Sequence, residues 1–255
     1  MKKITLLILL VGSSIQGRQP IIQPDANALE TLRQHKLVTA NSIKLHLGSG
    51  EQYLKGYINI DFPPENHTVQ KQSRADAFAN ITQLRFPKNT IDEVRSHHTF
   101  EHFDRQVALA MVCAWQEWLK PNGLLVIETP DLEESTKLFM GTSMGYKDKQ
   151  AVLRHVFGSH EASWAYHYDG WYEEKFRHVL SQLGFDIESV SKTAWGVTRN
   201  IIVYARKNNM PHESVITNAK QLLRESMVDN SPSEELMWQE WCKVFQNALS
   251  NMSAN

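Results

Sequence analysis

Excess charge is missing from this 255-residue chain: 27 Lys and Arg stand against 28 Asp and Glu, for a formal net charge of −1. That excludes capture of nucleic acid by a broad basic surface, because duplex-binding domains carry a clear cationic excess. Cysteine is scarce. Cys113 and Cys242 each sit inside an apolar helical pattern without paired spacing, so free thiols are expected rather than a disulfide framework. Long apolar runs are absent as well. The stretch 4–11 is too short to cross a bilayer as a helix. It follows Met1-Lys2-Lys3 and precedes small residues, the layout of a signal segment, yet a buried strand has the same composition. Both readings stay open. Nothing repeats internally and no segment is low-complexity.

The remaining composition is that of a globular protein, 42% apolar and 22% charged, with room for one α/β domain plus appendages. Residues 43–62, IKLHLGSGEQYLKGYINIDF, organise the rest. Ile43, Leu45 and Leu47 read as a short strand, Gly48-Ser49-Gly50 as a turn, and a second strand ends on Asp61. Glycines directly after a strand let backbone approach a ligand closely. An acid at the tip of the next strand can accept hydrogen bonds from the two hydroxyls of a ribose. Downstream, Asp76 is placed at the end of a third strand, 91–96 forms a fourth, 105–119 a helix, and LLVIETP a fifth strand stopped by Pro130. Residues 187–192 and 199–206 close the sheet, the last strand antiparallel after a hairpin at 193–198. Upstream, 18–24 reads as a proline-punctuated linker and Asp25 as the cap of a helix running to about Val38. Residues 215–227 and 234–249 read as two surface helices.

This alternation predicts an α/β fold, a doubly wound, mostly parallel Rossmann-like sheet with an antiparallel C-terminal strand. Ligands of such sheets bind outside the carboxyl ends of the strands, where Gly48, Asp61, Asp76 and His98 are all placed. The expected division is 1–42 as apolar segment and helix, 43–207 as the catalytic domain with a cap insertion at 131–175, and 208–255 as a helical extension.

The chain resembles the class I S-adenosylmethionine-dependent methyltransferases, and most closely the small-molecule or glycan type with the motif LxLGxGxxYLxGYxNxD. Leu45, Leu47, Gly48, Gly50, Tyr53, Leu54, Gly56, Tyr57, Asn59 and Asp61 carry the match, supported by SHHTFEHF and WLKPNGLLVIETPDL. The resemblance implies the class I methyltransferase fold and S-adenosylmethionine as cofactor. It implies that Gly48, Ser49 and Gly50 pass under the cofactor, that Asp61 binds its ribose, that Asp76 and Ala77 meet its adenine, and that His98 lies near the methyl group. One departure stands out: only five residues separate Gly50 from Gly56, so the usual first helix is nearly absent.

Methyl transfer to a hydroxyl needs alignment and removal of a proton. Histidine suits the second task, and His98 and His167 are the candidates; His102 and His160 carry weaker claims. Trp164, Tyr166, Tyr168 and Trp171 suggest an aromatic wall for a sugar or planar acceptor, or alternatively the packing of a cap. No metal site is expected, because no spacing brings a third ligand near His97-His98 and His102. The substrate class implied is a small molecule or saccharide, with no nucleic acid, no transmembrane helix, and the C-terminal helix as the contact in any homodimer. The implied cofactor points to the cytoplasm. Two alternatives stay open: an inactive S-adenosylmethionine-binding scaffold or regulatory protein, and a nicotinamide-dependent dehydrogenase. The second is disfavoured by the short Gly48–Asp61 spacing and the missing GxGxxG helix start.

Overall fold

The computed structural model describes residues 19–24, 26–39, 42–69 and 73–253. The apolar stretch 4–11 and Asp25 lie outside these residues. Seven strands form one sheet: β1 (Lys44–Leu47), β2 (Ile58–Asp61), β3 (Ala77–Phe78), β4 (Ile91–His97), β5 (Leu119–Pro130), β6 (Phe185–Trp195) and β7 (Thr198–Lys207), in the order β3-β2-β1-β4-β5-β7-β6. The pairs from β3 to β5 are parallel, and β7 runs antiparallel to both its neighbours. This is the doubly wound, mostly parallel sheet expected, with its antiparallel C-terminal strand. The order reverses at β1, so its exit turn and that of β4 face one crevice.

Seven α-helices accompany the sheet among the described residues: α1 (Ala28–Gln34), α2 (Arg105–Trp118), α3 (Leu132–Met140), α4 (Tyr146–Phe157), α5 (Glu173–Gln182), α6 (His212–Glu225) and α7 (Pro232–Met252). α1 is shorter than expected, and Asn27 caps it by accepting the Glu30 amide. α2 is buried almost all round, from Ala108 to Trp118, as a helix apolar on every side must be. Its second cover is α6 and α7, which bury Val215, Leu222, Leu223, Phe245, Leu249 and Met252 in the same core. They are therefore not surface additions. Trp118 Nε1 donates to Met252 O (3.2 Å), tying the end of α7 to α2. No helix among the described residues is long and apolar enough to cross a membrane.

One further element departs from expectation, and one follows it. The segment before α1 is no free linker: Phe78 N donates to Pro20 O and Ile22 N to Phe78 O, both at 2.8 Å, extending the sheet past β3. No helix occupies the interval between β1 and β2. Asn59, fully buried, holds that interval instead. Its side-chain oxygen accepts from Leu54 N (2.9 Å) and pairs with His46 Nδ1 (3.0 Å). Its amide nitrogen donates to Leu54 O, Tyr57 O and Asp76 Oδ2.

Candidate active site

β1 ends at Leu47, and the chain turns through Gly48 and Gly50 at φ of 69° and 54°. A Cβ on Gly48 would overlap the Thr99 side chain, whose hydroxyl donates to Gly48 O (3.0 Å). Glycine is needed here for the left-handed bend and for contact with the β4 exit. Gly48→Ala is expected to cost about 2–4 kcal/mol, combining the left-handed penalty with overpacking. Urea unfolding reads it as a lowered midpoint at unchanged slope.

Asp61 ends β2 beside this turn. Gly50 N donates to Oδ2 (2.9 Å) and Phe62 N to Oδ1 (2.8 Å), while His67 Nε2 lies 3.6 Å from Oδ2. Burial raises the Asp61 pKa, against the pull of those amides and of His67. A carboxylate offers about four acceptor directions, so each oxygen keeps capacity for one hydroxyl donor. Gly48, Gly50 and Asp61 line one cavity of about 420 Å³ with Phe62, Asn80, Ile81, Thr82, His98, His102, Val107 and Trp164. Ser49 Oγ, behind the turn, and His67 Nε2, on the wall, are buried without hydrogen-bond partners. Such orphans fit a site built to receive a polar ligand.

Asp76 and Ala77 do not line this cavity, and the physical reason is strand placement. Ala77-Phe78-Ala79 is the buried apolar run, so β3 begins after Asp76 instead of ending there. The Asp76 carboxylate accepts from Asn59 N (2.8 Å) and Asn59 Nδ2 (2.9 Å). It faces a separate hollow with Tyr53 and Tyr57, where its charge raises the Tyr53 pKa. Asn80, past the end of β3, reaches the cavity in its place. The apolar AFA triplet ahead of an Asn-Ile-Thr turn was the signal for it.

His98 lines the cavity at the β4 exit, with φ of 49°. Nδ1 lies 3.3 Å from Glu101 Oε1 and Nε2 3.6 Å from Glu128 Oε1. Burial alone would lower its pKa; hydrogen bonds to both carboxylates and their charges outweigh that and push it up to about 10. With a proton on each nitrogen the ring has no electron pair to offer. The two carboxylates thus favour the protonated ring, which argues against the base role that the sequence reading gave His98. Burial pushes the neighbouring His97 down to about 4.

The sequence of residues 42–127 matches the family model described as "Methyltransferase domain". Over those residues the chain is similar to a methyltransferase domain. No curated protein matches the chain. Solved structures similar in fold include a SAM-dependent methyltransferase from Methanosarcina mazei, 15% identical over 69% of this chain and 97% of that one, TM-score 0.43. Another is the Burkholderia thailandensis 1,6-didemethyltoxoflavin-N1-methyltransferase with bound S-adenosylhomocysteine, 13% identical over 69% and 75%, TM-score 0.45. A third is the Synechocystis magnesium protoporphyrin IX methyltransferase with bound SAH, 16% identical over 71% and 80%, TM-score 0.42. With TM-scores below 0.5, none of the three bears on this chain's substrate.

The matched residues 42–127 supply the glycine turn, Asp61, Asn80, His98, Glu101 and His102. Later segments supply the rest. Glu128, an acid in the apolar strand β5, was passed over in the sequence. His155 donates Nε2–H to Arg199 O (3.1 Å), and its ring centroid lies 6.0 Å from that of His98. Burial lowers its pKa and that of His167. His167 meets His102 edge-on at 4.6 Å and approaches Glu101 Oε1 at 3.9 Å. The expected aromatic wall is reduced to Trp164, whose Nε1 donates to Asn66 O (3.0 Å) and ties the segment after α4 to the loop after β2. Trp171 is core, packed on Phe100 and Phe176 at 4.8 Å each. Tyr166 and Tyr168 are exposed, and His160 stacks on Tyr166 at 4.1 Å, away from the cavity lining. A hollow of about 480 Å³ between α2, α5 and α6 holds Arg105, Asp169 and Lys175. There the charges satisfy one another, with Lys175–Asp169 at 2.7 Å and Arg105–Asp169 at 3.7 Å.

Proposed function

We propose that the chain transfers a methyl group from S-adenosylmethionine to an oxygen of a small molecule, a hydroxylated metabolite or saccharide. The observation that supports this most is Asp61, held at the tip of β2 with one free acceptor direction on each oxygen. A ribose cis-diol presents the two donors that match it. S-adenosylmethionine supplies an electrophilic methyl: its C–S bond breaks as the O–CH₃ bond forms, and the sulfur keeps the electron pair. Gly48, Ser49 and Gly50 bring backbone against the cofactor. Asn80, Ile81 and Thr82 take the adenine end assigned by the sequence to Asp76 and Ala77. Without a helix after β1, the cofactor's carboxylate finds no helix N-terminus there and depends on the β4 exit, because Gly48 N and Ser49 N donate to Ile60 O and Gly50 N to Asp61. His98 holds the methionine side of the wall.

The acceptor's proton goes to His102, which lines the cavity, backed by His167 in contact with it. His167 donates Nδ1–H to Val156 O (3.1 Å), and His102 donates Nδ1–H to Tyr166 O (3.1 Å). Each Nε2 is thus left as an electron pair, which is what proton removal from a hydroxyl requires.

Calorimetric titration with S-adenosylmethionine and S-adenosylhomocysteine, with NADH as control, tests the reading. Micromolar binding of the first two and none of NADH is expected, followed by transfer of labelled methyl to a hydroxylated compound in an acceptor panel. Binding without transfer to any of them supports an inactive scaffold instead. A folded sample that binds neither ligand overturns the cofactor assignment.

A further inference from the structure

Three electron-pair donors converge where the β4 exit meets the segment after α4. A carboxylate oxygen of Glu101 and one ring nitrogen each of His102 and His167 lie within 4.8 Å of one another. Glu101 is 1% exposed, and its Oε2 has no hydrogen-bond partner. A buried carboxylate oxygen left in that state costs free energy unless a cation or donor meets it. The two imidazoles do not supply a donor. Each commits its Nδ1–H to a backbone carbonyl, Tyr166 O for His102 and Val156 O for His167. This is the arrangement that fixes the tautomer and orientation of metal-binding histidines.

We infer that Glu101, His102 and His167 bind one divalent transition-metal cation of the zinc class, with an open coordination position toward the cavity that His102 lines. Two imidazoles and a carboxylate suit zinc, iron or cobalt far better than calcium or magnesium, which take oxygen ligands. Three protein ligands with a vacant position is the form of a catalytic rather than a structural site. Ligand bonds near 2.1 Å place neighbouring ligand atoms about 3.4 Å apart, so the three groups draw in by about 1 Å on binding. His98 stays outside the set: it holds Glu101 Oε1 at 3.3 Å and leaves Oε2 for the cation. Sequence spacing missed the site because the third ligand, His167, arrives from the segment after α4.

Binding of the cation stands by itself; its consequence for the acceptor rests on the proposed methyl transfer. With the cation in place, His102 and His167 act as ligands, and a hydroxyl coordinated at the open position loses its proton more readily. The base reading then belongs to the metal-free protein.

The test uses the full chain, stripped with chelator, dialysed, and titrated with Co²⁺ and Zn²⁺. One equivalent of Co²⁺ is expected to produce visible ligand-field bands of a four- or five-coordinate site, displaced by Zn²⁺. His102→Gln and His167→Gln are each expected to weaken binding at least about tenfold, with thermal unfolding showing the variants folded. These two substitutions avoid the fully buried Glu101, whose loss threatens folding. Saturation of a folded sample with no bands, or undiminished binding in both variants, overturns the inference. S-adenosylmethionine binding is measured on the same samples. Cofactor binding without metal binding overturns this inference alone, and metal binding without cofactor binding overturns the methyltransferase reading while leaving the metal site.

Discussion

Asp61→Ala is expected to weaken binding of S-adenosylmethionine by about two to four orders of magnitude, from the loss of two charge-assisted hydrogen bonds at about 1.5–3 kcal/mol each. Calorimetry on folded protein measures it. The same carboxylate also accepts the Gly50 and Phe62 amides, so some of the loss could arise from a loosened turn. Asp61→Asn separates the two effects. Its one oxygen serves one of the two amides while the NH₂ group faces the other, so it should recover part of the stability and leave binding weak. If Asp61→Ala binds the cofactor as the parent does, the cavity is not a nucleoside site.

Asn59→Ala has the largest expected effect on stability, about 3 kcal/mol or more. It would leave Leu54 N and His46 Nδ1 without partners and take from Asp76 one of its two Asn59 donors, and each orphan costs about 1–3 kcal/mol. Asp76→Ala removes the acceptor of two of those bonds and is expected to cost about 1–3 kcal/mol. Cofactor affinity should hold, since Asp76 does not line the cavity. Urea unfolding and calorimetry on both variants test this. Intact stability with lost affinity in Asp76→Ala would return that residue to the adenine site.

These contrasts mark what the chain's order of residues revealed. Alternation of apolar residues in 43–47 and 58–61 with glycines between them placed β1, β2 and Asp61, because residue alternation and glycine turns are local properties of the chain. Asp76 was misplaced for a local reason too. An acid beside the apolar Ala77-Phe78-Ala79 run can precede a strand as well as end it, and only pairing with β2 decides. α6 and α7 read as surface helices because a stripe of apolar residues does not say how much of α2 awaits cover. The convergence of Glu101, His102 and His167 was out of reach: it depends on a return of the chain across 64 residues, as does the contact between His102 and Tyr166. His98 looked like a base because Glu128, its second carboxylate, sits on another strand. A histidine's proton count is set by neighbours in space.

The short pairing of Pro20 and Ile22 with Phe78 also decides how this protein meets other copies of itself. β3 contains only Ala77 and Phe78, yet without that strap its outer main-chain groups would be an open template for another chain to add to. Proline at the margin of the strap supplies no N–H, so the growing edge ends there. The opposite margin, β6, leaves Lys192 and exposed polar residues outermost, and charge at an edge discourages pairing. Among the described residues, both margins of the sheet thus carry features that disfavour templated pairing with another chain.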